Sequence, residues 1–239
     1  MDKKLLPKLK LSPNRTLSSQ IYEFLRHQIV EKTILPGTQL SENDLTAHFD
    51  VSRTPVREAI NHLSRDGLVE IQPQNGTFVT KISVNKLFEI CFIRCAIETE
   101  AVRASLTLDD KLFKVVIKKL EKILEQQRKL KGKQHTEAKF LMLDDEFHKA
   151  ICEFSQTSLA WEVLEGVKAN MDRIRYLSIG TFSTIDDLLK DHEDLLHAIE
   201  TKDAHTACDL LRKHAYEITK TYKPVMEKNA NWFVESSPL

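Results

Sequence analysis

Asp144 and His148 stand four residues apart on the stripe Leu141, Asp144, His148, Ile151, so both point to the same, inward face of a helix. His192 interrupts a second apolar stripe, Leu188, His192, Leu195, Ile199, and His214 a third, Ala207, Leu211, His214, Ile218. If Lys202-Asp203 is the turn of a helical hairpin, His192 and His214 lie at one level, each roughly 15–17 Å from that turn at 1.5 Å per residue. One carboxylate and three imidazoles make a ligand set for Zn²⁺, Ni²⁺ or Mn²⁺, with room for water or a further ligand. Any one of these histidines, taken singly, reads as a satisfied core residue; their convergence is what points to a metal. His135, His197 and His205 fall outside the stripes.

Arg94 lies on the apolar stripe Leu87, Ile90, Arg94, Ile97, Ala101. A guanidinium on a buried face needs an anion, either Glu98 four residues on or a bound carboxylate. Asn170 shares a stripe with Val163, Val167 and Ile174 and is expected to line the same cavity, and Arg175 is a further candidate there. A metal beside Arg94 suits a small organic acid as ligand. Two other readings are a metal site that is purely structural and a metal-dependent hydrolase. Against the hydrolase, the chain has no H-E-x-x-H and no nucleophile motif, so no catalytic residue is assigned.

A second set of residues has a different chemistry. From Leu17 to Val30 the apolar residues Ile21, Leu25 and Ile29 recur at helical spacing, with Ser18 or Ser19 as cap. Ser41 begins a short helix with Glu42 and Asp44 in its first turn, and Asp50 makes a tight turn after it. Ser52 caps a third helix, Pro55 sits in its first turn, and Gly67 ends it. Leu68–Ile71 and Thr77–Val79 are short β-like runs around Pro73-Gln74-Asn75-Gly76, a hairpin signal. Helix, helix, turn, helix and hairpin is the order of a winged helix-turn-helix. The third helix turns Val56, Ile60 and Leu63 inward and Arg53, Thr54, Arg57, Asn61 and Ser64 largely outward. Such a face suits the major groove of double-stranded DNA, where arginine can read guanine O6 and N7 with two bonds.

The larger frame is consistent with this division. The chain has 239 residues, 41% hydrophobic and 29% charged, with only 6 Gly and 7 Pro. That is enough for two domains, mainly α. We expect a flexible tail over 1–16, the winged helix-turn-helix with its small hairpin over 17–82, an antiparallel all-α bundle of about six helices over 83–228, and a tail over 229–239. No apolar run is long enough to span a bilayer, and the basic start has no h-region, so a cytoplasmic protein is expected. The formal net charge is zero, and charge therefore does not decide for or against a nucleic-acid partner. The four cysteines form no C-x-x-C pair and read as buried free thiols.

The motifs carry a resemblance. Leu40-Ser41-Glu42-Asn43-Asp44-Leu45, Val51-Ser52-Arg53-Thr54-Pro55-Val56-Arg57-Glu58-Ala59-Ile60 and Leu63-Ser64-Arg65-Asp66-Gly67-Leu68-Val69 resemble the GntR-family winged helix. Pro36-Gly37 and Asn75-Gly76-Thr77-Phe78-Val79 extend the match across 17–82. The resemblance implies DNA contact through Arg53, Thr54 and Arg57, with Ser52 and Asn43 beside them and Gln74 and Gly76 on the wing. Many members carry a basic residue at the position of Asn43. Leu143–Ile151, His192–Ile199 and His214 resemble the FCD effector domain of the FadR subfamily, in which the matching Asp and three His bind a divalent metal. Arg94-Cys95-Ala96-Ile97-Glu98 resembles the segment whose arginine holds an effector carboxylate. The family also implies a homodimer on a pseudo-palindromic operator, with DNA affinity controlled by the effector.

Overall fold

The computed structural model describes residues 6–234. They divide into two compact units: residues up to 84 with 169–173 and 229 onward, and residues 85–168 with 174–228.

The first unit begins with α1 (Leu17–Val30), which buries Ile21, Leu25 and Ile29. Its cap is Thr16, whose side chain accepts from the Ser19 N–H, so the helix starts earlier than either expected serine would place it. A two-residue strand, β1 (Gln39–Leu40), precedes α2 (Glu42–Phe49). Ser41 caps α2 by accepting from the Asp44 N–H, and Asp50 ends it in the left-handed region at φ 53°. The third helix, α3 (Arg53–Arg65), buries Val56, Ala59, Ile60 and Leu63. Gly67, at φ +70°, then lets the Leu68 N–H turn back to the Leu63 carbonyl at 2.9 Å. Ser52 occupies the N-cap of α3, but its hydroxyl makes no capping hydrogen bond, contrary to expectation.

Strands β2 (Val69–Gln72) and β3 (Gly76–Val79) pair antiparallel, with Gln72 opposite Gly76. The sheet has three strands in the order β1-β3-β2. β1 is too short to leave a period-2 pattern in the sequence. At the hairpin tip Gln74 takes positive φ (62°), and Gly76 lies at φ +121°. Each expected tail has one buried anchor among its described residues, Leu6 in the first and Phe233, which bridges to Ile82, in the second. Residues 1–5 and 235–239 of those tails lie outside the described residues.

Leu63 is fully buried at the centre of this core. Leu63→Ala is expected to destabilise the unit by about 2–5 kcal/mol, because the α3 backbone cannot collapse into the space left. Urea unfolding of variant and wild type at equal concentration measures this.

The second unit is helical: α4 (Val84–Ser105), α5 (Asp110–Arg128), α6 (Glu137–Cys152), α7 (Leu159–Val167), α8 (Ala169–Ser178), α9 (Ile185–Glu200) and α10 (Ala204–Lys228). The first residue of α4 and the first five of α8 count with the other unit. One break was not foreseen, at Lys168, which separates α7 from α8 at φ −76°, ψ −7°. Gly166, in the last turn of α7, is the one local signal beside it. The core joins Leu120 and Leu124 of α5, Phe140 and Phe147 of α6, Leu195 and Ile199 of α9, and Ala207 and Leu211 of α10. All four cysteines are buried and free. No helix among the described residues is long and apolar enough to cross a membrane.

Candidate metal centre and DNA-reading helix

The heptad-like burial of α6, α9 and α10 carries four polar side chains inward. Asp144, His148, His192 and His214 are all buried, and one ligand atom from each lies within 4.8 Å of the others. His148 Nε2 and His214 Nε2 are 3.1 Å apart. Asp144 places Oδ1 at 3.5 Å from His192 Nε2 and Oδ2 at 3.8 Å from His148 Nε2. The four residues that the spacing set on inward helix faces therefore meet in the structure.

The outer edges of His148 and His192 are held by hydrogen bonds. His148 Nδ1 donates to Glu98 Oε2 at 2.7 Å, and His192 Nδ1 donates to Gln127 Oε1 at 2.9 Å. His214 turns Nδ1 towards Asp191 Oδ2 at 3.5 Å. The His192 ring lies flat against Phe147, centroids 4.3 Å apart, with Phe140 parallel to it at 6.3 Å. A neutral imidazole that donates from Nδ1 keeps its lone pair on Nε2. Nε2 of His192 is buried with no hydrogen-bond partner, and His148 and His214 face Nε2 to Nε2 at 3.1 Å, where one ring donates to the other when no ion lies between them. Lone pairs converging with a carboxylate oxygen are the complement of a cation, so the residues fit a divalent metal ion.

The electrostatics agree. Burial works to raise the Asp144 carboxyl, but Arg175, with His148 and His192 behind it, holds it well below the usual carboxylate range. Burial, reinforced by His214, pushes His192 down to about 3. Burial and the Arg94 charge likewise push His148 well below its ordinary value. The site is thus a deprotonated carboxylate with at least two neutral imidazoles at neutral pH, as metal ligation requires.

Arg94 donates from Nε to Glu98 Oε1 at 2.8 Å, and both side chains are buried. The internal pairing weighed from sequence is therefore made, while Nη2 of Arg94 stays buried without a partner. Arg175 contacts Asp144 Oδ2 through Nη2 and Asp145 Oδ1 through Nη1, the latter at 2.8 Å. It acts on a candidate ligand from behind. Asn170 does not join the site. Its amide oxygen accepts from the Ser83 N–H at 3.0 Å, and its amide nitrogen donates to the Ser83 carbonyl at 2.7 Å. The break at Lys168 interrupts the stripe on which the expectation rested, and Val163 and Val167 are exposed.

Glu98, Gln127 and Asp191 are partners of the histidines that spacing alone did not assign to the site. Gln127 did leave a signal, as an amide on the buried stripe Val116, Leu120, Ile123, Leu124 of α5.

In the first unit, Ser52, Arg53, Thr54, Arg57 and Asn61 are exposed along α3, and Asn43 is exposed on α2. Arg57 Nε donates to Glu42 Oε2 at 2.8 Å, leaving the two Nη groups to point elsewhere. At the wing, Gln74 is exposed and Gly76 half-buried. Gln39 Nε2 donates to the Asn75 carbonyl at 3.2 Å and lies where a Cβ on Gly76 would stand, 2.5 Å away. Glycine is needed there for its φ, whereas the exposed end of the Gln39 side chain can move aside.

This arrangement, a winged helix-turn-helix unit and a helical unit with a buried Asp/His₃ cluster, defines a class of one-chain transcription regulators. Residues 17–79 match the family model described as bacterial regulatory proteins, gntR family, and residues 89–217 match that of the FCD domain. The chain belongs to the GntR family of DNA-binding transcription regulators and carries an FCD domain; it is a regulator and not an enzyme. It is 37% identical over 229 residues to the HTH-type transcriptional repressor RspR of Escherichia coli K12, covering 95% of this chain and 97% of that one. It is 31% identical over 204 residues to the gluconate operon transcriptional repressor of Bacillus subtilis, covering 83% and 82%. Among solved structures, E. coli McbR/YncC matches with a TM-score of 0.71 at 20% identity, covering 90% of this chain and 99% of that one.

Proposed function

We propose that the FCD domain of this regulator holds one divalent metal ion, Zn²⁺, Ni²⁺ or Mn²⁺, on Asp144, His148, His192 and His214, and that a small organic acid bound there controls affinity for the operator. The observation that carries the reading is the convergence of four buried ligand atoms within 4.8 Å, with the Nδ1 edges turned outward to other partners. When bound, the metal supplies a Lewis-acidic centre for a carboxylate oxygen. The buried, partnerless Nη2 of Arg94 is a donor for the same carboxylate, and Arg175 fixes the Asp144 carboxylate from behind. The Bacillus relative is named for a gluconate operon, and gluconate is itself a carboxylate.

On the DNA side, Arg53, Thr54 and Arg57 read the major groove, Ser52 and Asn43 take phosphate, and Gln74 and Gly76 bring the wing to the adjacent backbone. Two named relatives are repressors, which supports repression as the outcome here. Operators of this class pair two half-sites, so the working unit is a homodimer in the cytoplasm. The exposed Phe88 and Phe92 of α4 support self-association.

The test is elemental mass spectrometry of gently purified protein beside an Asp144→Ala/His192→Ala variant. Wild type is expected to carry about one metal per chain and the variant none, since removing two of four ligands opens the site. Absence of metal from wild type after reloading would refute the metal reading and leave the DNA-binding unit untouched. The near-complete burial of Asp144, His148 and His192 favours a second reading, a purely structural metal. Under that reading chelation lowers stability, and carboxylic acids leave DNA affinity unchanged.

A further inference from the structure

We propose that Gln127 is a positioning residue for the metal centre: its side-chain oxygen holds Nδ1 of His192, so that Nε2 is presented to the ion as a lone pair. The inference rests on the metal reading above and adds a residue to it.

Gln127 is fully buried near the C-terminal end of α5, on a face otherwise made of Phe113, Val116, Leu120, Ile123 and Leu124. An amide in such a place costs stability unless both its ends are hydrogen-bonded. Here only one end is. Oε1 accepts from His192 Nδ1 at 2.9 Å, while Nε2 is buried with no partner. A leucine or methionine would fill the same volume without the orphaned donor. The amide is therefore not kept for packing, and what it does that an apolar side chain cannot is accept from His192.

That bond settles something the surrounding walls do not. Phe147 and Phe140 lie parallel to the His192 ring and fix its plane. Stacking is indifferent to which ring nitrogen carries the proton. An acceptor at Nδ1 selects the Nδ1–H tautomer and directs the bare Nε2 at Asp144 Oδ1, 3.5 Å away. Glu98 does the same for His148 but also pairs with Arg94, and Asp191 beside His214 also pairs with Lys213. Removing Glu98 would strand the buried Arg94. Gln127 is neutral, so its effect on the metal can be separated from its effect on the fold.

The experiment uses the full chain, wild type and Gln127→Leu, stripped of metal. Zinc affinity is measured by competition with a chromogenic chelator, apo thermal midpoints are compared, and ¹⁵N shifts of His192 report its tautomer. Expected are a zinc affinity lowered by about 10–100-fold, an apo midpoint equal to or above that of wild type, and a His192 no longer held as Nδ1–H. Wild-type zinc affinity in the variant would overturn the role of Gln127 alone. An apo midpoint well below wild type, or a variant that fails to fold, would overturn it too by making the amide structural. No zinc binding by wild type would overturn the metal reading and this inference with it.

Discussion

The double variant Arg53→Ala/Arg57→Ala is expected to lose specific operator binding while keeping its metal content and its thermal midpoint. Both arginines are exposed on α3, and their neighbours on the opposite side of the helix, Val56, Ala59 and Ile60, are buried. The truncations therefore leave the core unchanged. A bidentate arginine–guanine pair is worth about 1–3 kcal/mol of discrimination, so two of them removed together amount to about 2–6 kcal/mol, or roughly 30- to 10⁴-fold in affinity. Glu42 sharpens the expectation for Arg57. By accepting from Nε at 2.8 Å it fixes one edge of the guanidinium and leaves the two Nη groups for a base edge. Binding is followed by fluorescence anisotropy on a duplex selected by the wild-type protein from a random pool, at fixed salt because the phosphate contribution is salt-dependent. Affinity within threefold of wild type would show that α3 is not the reading helix. A loss that is equal on selected and random DNA would show that the two arginines contact phosphate and not bases.

What could be read from the sequence, and what could not, follows from how many signals each element left. α3 is marked four times over, by Ser52, Pro55, the Val56–Ile60–Leu63 stripe and Gly67, and the structure has it between Arg53 and Arg65. The Asp/His₃ cluster was legible for a related reason. A histidine or aspartate on an apolar helical stripe is anomalous, three stripes carried one, and two of them, those of His192 and His214, could be aligned through the turn at Lys202-Asp203. Asn170 failed because the same stripe argument was applied across Lys168, where the helix is broken just after Gly166. β1 is two residues long and is stabilised by pairing with β3, a tertiary interaction that no local pattern encodes. Gln127, Glu98 and Asp191 lie on α5, α4 and α9, and their roles exist only once those helices are packed around α6 and α10. A residue that acts through a ligand leaves no spacing rule, only a polar interruption of a buried face.

Lowering the pH from 7 to 5 is expected to destabilise the metal-free protein by about 2 kcal/mol through His192 alone. The group sits at about 3 in the folded state, against an ordinary value near 6.5 when unfolded. At pH 7 both states hold the imidazole neutral, and the shift has no effect. Below 6.5 the unfolded state takes up a proton that the folded state refuses, so stability falls as pH falls, down to about 3. His148 is shifted in the same direction and adds to the loss. Three carboxyls stand around these histidines with Arg94, Arg175 and His214, and one of them, Asp191, is held low chiefly by His214, so it stays ionised across this range and does not contribute to the slope. Asp144 is held low, so its ion pairs with Arg175 persist throughout the range and do not contribute to the slope. Glu98 is raised by burial against the pull of Arg94, so it works against the histidines as the medium becomes acid. The contribution of His192 is isolated by urea unfolding of wild type and His192→Leu at pH 7 and pH 5 in the presence of chelator. The leucine variant is expected to show the smaller fall between the two pH values, by about 2 kcal/mol. Equal falls would mean that His192 is not held neutral by burial, and the account of the centre as a set of pre-formed lone pairs would fail at its most enclosed ligand.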